Sequence, residues 1–169
     1  MKLFLILLAF VFTLNTRAQD PVYRSAVSAE LGGLGLGYSA QYDYLFKRSD
    51  NGFYDARIGI GATKFSSMDY YISLPHALTY NFRQLNQFYE GGIGGILANE
   101  YTSNFPNNVV TVVTRYYIGP MIGYRSISRS GFQFRIYATW LFYKDGSFPF
   151  VGIGFGKAFK KKVRRMTRQ

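Results

Sequence analysis

The sequence predicts an all-β protein, an antiparallel up-and-down transmembrane β-barrel of about eight strands. Three observations support this prediction. Apolar and non-apolar residues alternate with a period of two in segment after segment, which is typical of strands with two unlike faces. Most segments run for about 10–14 residues, whereas ~5–6 is usual in soluble proteins and ~9–11 tilted residues cross a bilayer. The non-apolar face is mostly glycine with single charges, which suits the crowded inside of a narrow barrel.

Eight segments carry this alternation, and turn-forming residues at 49–52, 128–131 and 144–147 separate several of them. In each segment the apolar residues share one parity, which we expect to face outward. In chain order these outward residues are Val27, Ala29 and Leu31; the even positions of 34–46, 54–62 and 70–82; Tyr89, Ile93 and Leu97; the even positions of 116–124 and 132–142; and Val151, Ile153, Phe155 and Phe159.

Composition and charge exclude several classes of protein. The chain has 169 residues, which is room for one domain, and it has no cysteine, so disulfides, thiolate metal sites and lipoprotein acylation are excluded. With one histidine and no cysteine, no metal-ligand cluster is expected. The net charge is +11, but six of the positive charges lie in the last ten residues. This distribution argues against a nucleic-acid-binding surface.

The chain begins with the pattern of a secretory signal peptide. Lys2 supplies the positive charge, and an apolar run of 12 residues follows at 3–14, too short for the ~20 residues of a membrane-spanning helix. Cleavage after Ala18 is expected. The sequence therefore predicts a signal peptide at 1–18, a barrel at 19–159 and a basic tail at 160–169.

Charged residues of the non-apolar parity are expected to meet inside the barrel. An unpaired charge in a closed lumen is costly, so arginines and carboxylates should pair there. The sequence predicts a charge network in the lumen that is made of Glu30, Asp43, Asp55, Arg57, Glu90, Arg115, Arg125 and Arg135.

Aromatic residues concentrate toward the ends of the outward faces. Such residues form the interfacial girdles of membrane barrels, and the predicted girdle is Tyr42, Tyr44, Phe46, Tyr80, Phe82, Tyr89, Tyr124, Phe132 and Phe159.

Three features fit the pattern less well: His76 falls on the lipid face, Pro75 and Pro120 interrupt strands, and the first hairpin at 32–33 is very tight. A bulge or register shift near these positions is expected, because prolines in sheets usually mark edges or bulges.

Four stretches carry a resemblance to a known family. They are residues 29–35 (AELGGLG), 38–42 (YSAQY), 74–75 (LP) and 89–94 (YEGGIG). Across nearly all of the mature chain the pattern resembles small bacterial outer-membrane β-barrel proteins. The resemblance implies location in the cell outer membrane of a Gram-negative-type bacterium, contact with its lipids including lipopolysaccharide, and insertion by the barrel assembly machinery. Phe159 resembles the C-terminal aromatic that this machinery recognises, although ten residues follow it.

An even number of strands places both ends of the barrel on the periplasmic side. Turns near 47–51, 83–87 and 126–131 are then periplasmic, and loops near 32–34, 64–70, 101–110 and 144–148 lie outside. The basic tail would lie in the periplasm, where it can attract anionic headgroups or cell-wall polymer; a solvated end is the simpler interpretation.

The favoured function is a non-enzymatic envelope barrel with a structural or surface-interaction role. Three alternatives stay open: a narrow pore, a lipid A-modifying enzyme, and a soluble secreted barrel that binds a lipophilic ligand. Eight strands usually leave too little space for an aqueous channel. No serine follows His76 by two residues and Ser73 has the opposite parity, so the residues of a serine hydrolase are not in place. No catalytic residue, cofactor site or metal site is predicted.

Overall fold

The structure, a computed structural model, describes residues 23–64, 69–84, 87–104 and 109–160. Eight antiparallel strands form a closed barrel in sequential order, and β8 pairs with β1. The strands are β1 Tyr23–Gly32, β2 Gly37–Ser49, β3 Gly52–Lys64, β4 Asp69–Gln84, β5 Gln87–Asn104, β6 Val109–Ile127, β7 Phe132–Tyr143 and β8 Gly146–Lys160. The predicted signal peptide, and the predicted tail beyond Lys160, lie outside the described residues. In the described ranges no helix has the length and apolar character needed to span a membrane.

The two ends of the barrel differ. We call one end the turn end: there residues 49–52 join β2 to β3, and residues 128–131 join β6 to β7. The first residue of β1 and the last residue of β8 also lie at this end. At the loop end lie the connections β1–β2, β3–β4, β5–β6 and β7–β8. This arrangement follows from the even strand count, because successive antiparallel strands alternate in direction.

The parity of each strand decides which side chains face inward, as the sequence predicted. The side chains of Ile58 and Phe155 are 62% and 49% exposed on the outer surface, whereas Arg57 and Arg135 are 3% and 1% exposed. Apolar residues therefore cover the outside of the barrel, and the residues of the other parity lie inside. The predicted all-β up-and-down barrel of eight strands is confirmed.

The first hairpin departs from the prediction. Leu34 and Leu36 were expected on the outward face of β2, but that strand begins at Gly37. Residues 33–36 instead form an inward turn that includes a short 3-10 helix, Gly33–Gly35, and both leucines are buried inside the barrel. Gly33 has a φ of +58°, and a Cβ there would lie 2.1 Å from the hydroxyl of Tyr137. Glycine is therefore required for the chain to turn inward at this position.

Pro75 and Pro120 interrupt pairing without the expected bulge. On its β5 side Pro75 pairs in register with Ile96, while pairing with β3 skips from His76 to Ser73. Pro120 likewise pairs with Ile93 of β5, while pairing with β7 skips from Ile118 to Met121. Each proline removes one backbone donor, so pairing weakens on the side that the missing N–H faces. The register shifts lie elsewhere, at Tyr23/Ser25 and at Leu45/Lys47.

Strands β5 and β6 are the longest, with 18 and 19 residues. Their hairpin continues past the loop end of β7 and β8. In β6 the residues 110–114 are exposed on both faces, so alternation of burial stops where the hairpin leaves the barrel.

Candidate functional site

Seven charged side chains meet in the turn-end half of the lumen. The charge cluster consists of three arginines and four carboxylates from six strands: Glu30, Asp43, Asp55, Arg57, Glu90, Arg125 and Arg135. All seven residues are 3% exposed or less. Most are close enough to form charge-assisted hydrogen bonds, which lessen the cost of burying ions.

Glu90 contacts all three arginines. Its Oε2 lies 2.9 Å from Arg125 Nη2 and 3.2 Å from Arg135 Nε, and its Oε1 accepts a hydrogen bond from Arg57 Nη2. Asp43 contacts the same three arginines, with Arg135 Nη2 at 2.8 Å, Arg57 Nε at 3.2 Å and Arg125 Nη2 at 3.6 Å. Each of these carboxylates therefore shares its charge among three guanidinium groups.

The remaining two carboxylates also have neutral donors. Asp55 lies 2.6 Å from Arg125 Nη1 and accepts hydrogen bonds from the hydroxyl of Thr79 and, at 3.1 Å, from Asn81 Nδ2. Glu30 accepts hydrogen bonds from Gln41 Nε2 at 2.8 Å and from the hydroxyl of Tyr137 at 2.6 Å.

Strand β8 contributes space to the lumen. Its inward residues in this region are Gly152, Gly154 and Gly156. A Cβ at Gly152 would lie 2.7 Å from the ring of Tyr137, and one at Gly156 would lie 2.3 Å from the carbonyl oxygen of Val27. Close packing thus explains Gly152 and Gly156, whereas a Cβ at Gly154 would lie in ordinary contact, 3.5 Å from the carbonyl oxygen of Ala29.

The loop-end half of the lumen is apolar. Leu34, from the inward turn, packs in this apolar layer, whose buried members are Leu34, Leu36, Ala77, Ile96, Ala98, Tyr117, Met121, Tyr137 and Leu141. Three partly buried aromatics, Tyr143, Phe148 and Phe150, pack against it near the loop end. Sequence analysis missed this layer, although Ile96, Met121 and Leu141 are large apolar residues on the otherwise polar parity.

The inward turn is held by side chains of three strands. Tyr137 accepts a hydrogen bond from the backbone N–H of Leu34 at 2.7 Å. Ser73 and Thr63 donate to the carbonyl oxygens of Gly35 at 2.9 Å and Leu36 at 2.5 Å. Because the hydroxyl of Tyr137 also donates to Glu30, this side chain joins the inward turn to the charge cluster.

Arg115 is the exception in the predicted lumen network. It lies at the loop-end rim, where its Nε is 3.4 Å from Glu100 Oε2 and its side chain is 39% exposed. The prediction that it joins the cluster is wrong because parity gives the face of a strand and not the height along it. Arg115 lies ten residues before Arg125 on the longest strand, which places it in the rim.

The nine predicted girdle residues do not divide between the two ends. Eight lie toward the turn end, and Tyr42 lies at mid-strand opposite Val27 and Ile58. A second outward-facing set toward the loop end was missed: Tyr38, Tyr70, Tyr101, Tyr116, Trp140 and Phe142. The rings of Tyr70 and Tyr101 stack with centroids 4.6 Å apart.

His76 lies on the outer surface and has partners for both ring nitrogens. Nδ1 is 3.2 Å from the carbonyl oxygen of Leu74, and Nε2 is 2.9 Å from the hydroxyl of Tyr116. Both side chains lie close to Gly95, where a Cβ would be 2.5 Å from the imidazole of His76 and 2.9 Å from the hydroxyl of Tyr116. This arrangement satisfies the polar atoms of a histidine on an apolar surface.

An open edge runs along the loop-end part of β6. The first pair between β6 and β7 is Ile118 with Phe142, so within the described ranges residues 109–117 pair with β5 alone. The edge begins VVTVVT, a β-branched run without charge. Such unpaired strand edges can pair with another chain.

Comparisons with known proteins give structural matches. No protein-family model and no curated protein sequence matches the chain. Neisserial surface protein A (NspA) overlaps with a TM-score of 0.52 at 12% identity, over 80% of this chain and 94% of that chain. The N-terminal β-barrel domain of Pseudomonas aeruginosa OprF overlaps with a TM-score of 0.53 at 11% identity, over 80% and 96%. Ail, the attachment invasion locus protein of Yersinia pestis, overlaps less closely, with a TM-score of 0.46 at 13% identity, over 80% and 95%.

Identities this low bear on the fold alone, and the fold agrees with the strand order and the outward apolar faces described above. The chain has the fold of the small eight-stranded outer-membrane β-barrel proteins.

Proposed function

We propose that this protein is a non-enzymatic outer-membrane barrel that serves as a surface-interaction module of the cell envelope. In this proposal the turn end faces the periplasm and the loop end faces outside. The single observation that carries the interaction role is the open edge, residues 109–117, where β6 extends beyond the loop end of β7.

Membrane insertion is supported by the outer surface. Large apolar side chains such as Ile58, Ile122 and Val151 are each more than half exposed, which is costly in water and favourable in hydrocarbon. Aromatic residues flank this region toward both ends, as expected at membrane interfaces. We propose that the two sets contact outer-membrane lipids, including lipopolysaccharide at the loop end. The same surface argues against a soluble barrel with a lipophilic ligand, whose apolar face would line the interior.

The filled lumen argues against the pore alternative. The charge cluster occupies the turn-end half, and the apolar layer with the inward turn occupies the loop-end half. Water and small solutes would have to displace buried ion pairs and Leu34 to pass. We expect planar bilayers that contain the protein to show no stepwise conductance.

The open edge supports pairing with an extended segment of another protein. Addition of a strand to a sheet edge gives affinity through main-chain hydrogen bonds. Val110 and Val112 are 56% and 52% exposed beside it, so an added strand would also bury apolar side chains. A lipid A-modifying activity has no comparable support, because the partners of His76 are the carbonyl oxygen of Leu74 and the hydroxyl of Tyr116, and not the serine and carboxylate of a triad.

Insertion by the barrel assembly machinery belongs to the same proposal. Phe159 lies on the outward face near the end of β8 and is 48% exposed. It is therefore available at the seam where β8 pairs with β1. The predicted basic tail follows this strand, and its contact with headgroups or cell-wall polymer stays a prediction.

Single-cysteine labelling tests location and orientation together. The chain has no cysteine, so Thr111→Cys at the open edge and Asp50→Cys in the β2–β3 turn each give one reactive site. With a membrane-impermeant maleimide, intact cells should label Thr111→Cys, and Asp50→Cys should label after the outer membrane is permeabilised. Labelling of Asp50→Cys alone in intact cells, or recovery of the protein in a soluble fraction, would contradict the proposal.

Hydrogen exchange tests the open edge itself. Alternate residues of a strand direct their N–H groups to the same neighbour, and the interruption at Pro120 indicates that even positions face β7. The amides of Val110 and Val112 should therefore exchange faster than those of Thr111 and Val113. Equal protection of the four amides would show that the edge is covered.

A further inference from the structure

The basic residues outside the charge cluster are unequally distributed between the two ends of the barrel. Among the side chains that the structure describes, six cations and one acidic residue lie around the turn end: Arg24, Lys47, Arg48, Arg83, Arg129, Lys157 and Asp50. Around the loop end, three cations accompany two acidic residues: Lys64, Arg115, Lys144, Glu100 and Asp145. The acidic residues of the charge cluster are inside the lumen, where arginines pair with them, so they do not offset the positive turn end.

Three of the turn-end cations are exposed on neighbouring strands, just beyond the outward aromatics. Arg24 of β1 donates to the hydroxyl of Tyr44 at 2.7 and 3.1 Å. Lys47 of β2 has its Nζ 5.9 Å from the ring centroid of Tyr54. Lys157 of β8 is opposite the outward-facing Phe132 and donates to the carbonyl oxygen of Ser130 at 2.6 Å. The order β8, β1, β2 places the three on one side of the barrel.

The surface beside these cations is apolar. Val27, Phe155 and Phe159 are each about half exposed on β1 and β8. A molecule that fits this surface has a negative head beside the cations and hydrocarbon chains along the strands. Long basic side chains that extend from an apolar surface to its edge have the matching form.

We propose that the turn-end face of β8, β1 and β2 binds anionic phospholipid, with Arg24, Lys47 and Lys157 attracting the phosphates of the headgroups along this face. The orientation of this face toward the inner leaflet rests on the proposed function, but the binding itself does not. Electrostatic attraction near an anionic membrane surface strengthens binding by about fivefold for each Lys or Arg.

The test uses the full chain refolded into phosphatidylcholine vesicles with spin-labelled phosphatidylglycerol or phosphatidylcholine as the probe. Electron paramagnetic resonance gives the preference of the protein for one lipid over the other. The double variant Lys47→Gln/Lys157→Gln is compared with Lys64→Gln/Lys144→Gln, which makes the same chemical change at the loop end and has the same net charge.

In the turn-end double variant, the preference for phosphatidylglycerol over phosphatidylcholine should fall by about fivefold or more. The loop-end double variant should keep the preference of the unaltered protein. Adding Arg24→Gln should lower the preference further. Salt at 1 M should abolish the preference, because the Debye length falls to about 3 Å. Heat-modifiability on gels confirms that each variant is folded.

Three results would overturn the proposal. The unaltered protein could show no preference for phosphatidylglycerol, or both double variants could lose it equally, which would indicate a net-charge effect. Alternatively, the turn-end variant could keep its lipid preference but lose co-sedimentation with insoluble peptidoglycan, which would assign the cations to cell-wall polymer. Because vesicles of uniform composition carry no information on cellular orientation, failure here is distinguishable from failure of the cysteine labelling.

Discussion

The two halves of the lumen are filled by different chemistry. In the turn-end half, three guanidinium groups and four carboxylates are buried together, and Glu90 and Asp43 each contact all three arginines. In the loop-end half, Leu34 of the inward turn packs among apolar side chains such as Ile96 and Leu141. The two halves therefore respond to substitution for different reasons. In the turn-end half, loss of one charged side chain breaks buried ion pairs. In the loop-end half, loss of one apolar side chain leaves a cavity.

Removal of one carboxylate from the charge cluster should have the largest effect. Glu90→Gln keeps the shape of the side chain but removes the ion pairs that its carboxylate makes with Arg57, Arg125 and Arg135. Breaking a buried ion pair costs about 3–5 kcal/mol, and urea unfolding of the protein refolded into lipid vesicles should show a loss of this size.

The matched control is Glu100→Gln at the loop-end rim. Its partner Arg115 is 39% exposed, so the loss should be about 0–1 kcal/mol, as for surface ion pairs. Equal losses for the two variants would mean that burial of the cluster does not set its energetic importance.

Truncation of Leu34 should have the next effect. Leu34 is fully buried, so Leu34→Ala should lower the free energy of unfolding by about 2–5 kcal/mol through lost burial and a residual cavity. The control is Leu31→Ala in the same hairpin, whose side chain is 53% exposed on the outer surface. If Leu31→Ala is as destabilising as Leu34→Ala, the inward turn is not a packed part of the lumen.

The smallest effect should come from Tyr137→Phe, which tests the junction of the two halves. The hydroxyl donates to Glu30 and accepts from the N–H of Leu34. Its removal leaves a buried donor and acceptor without this partner, at a cost of about 1–3 kcal/mol.

Hydrogen exchange gives this variant a second measurement. The amide of Leu34 should exchange faster in Tyr137→Phe than in the unaltered protein. Tyr38→Phe removes a hydroxyl from a side chain that is 71% exposed on the outer surface, and it should change neither stability nor the exchange of Leu34. An unchanged Leu34 amide in Tyr137→Phe would show that the bridge does not hold the inward turn.

Much of the barrel could be predicted because its pattern is local. Successive side chains of a strand point to opposite faces, so Ile58 and Arg57 were assigned to their faces from parity alone. The lengths of the segments and the turn residues gave the number of strands. The same reasoning selected all seven residues of the charge cluster, since charged side chains of the inward parity can only lie in the lumen of a closed barrel.

Height along the barrel could not be predicted in this way. Arg115 and Arg125 share a parity on β6, yet Arg125 lies in the cluster and Arg115 at the rim. Their separation depends on how far β6 extends beyond β7, which is a matter of strand register. The same uncertainty of height explains why the predicted girdle residues fell mostly toward one end.

The sequence by itself determined the architecture: eight strands, an apolar outside and a glycine-rich inside that holds the paired charges, because a period of two needs no information from distant residues. The tertiary structure decided which side chains fill the lumen and which part of β6 extends beyond its neighbouring strand. Leu34 is buried because the chain turns inward at Gly33 beneath Tyr137, a residue more than a hundred positions away. Residues 109–117 form an open edge because β6 is longer than its neighbour. Both outcomes depend on contacts and registers between strands, which no single segment encodes.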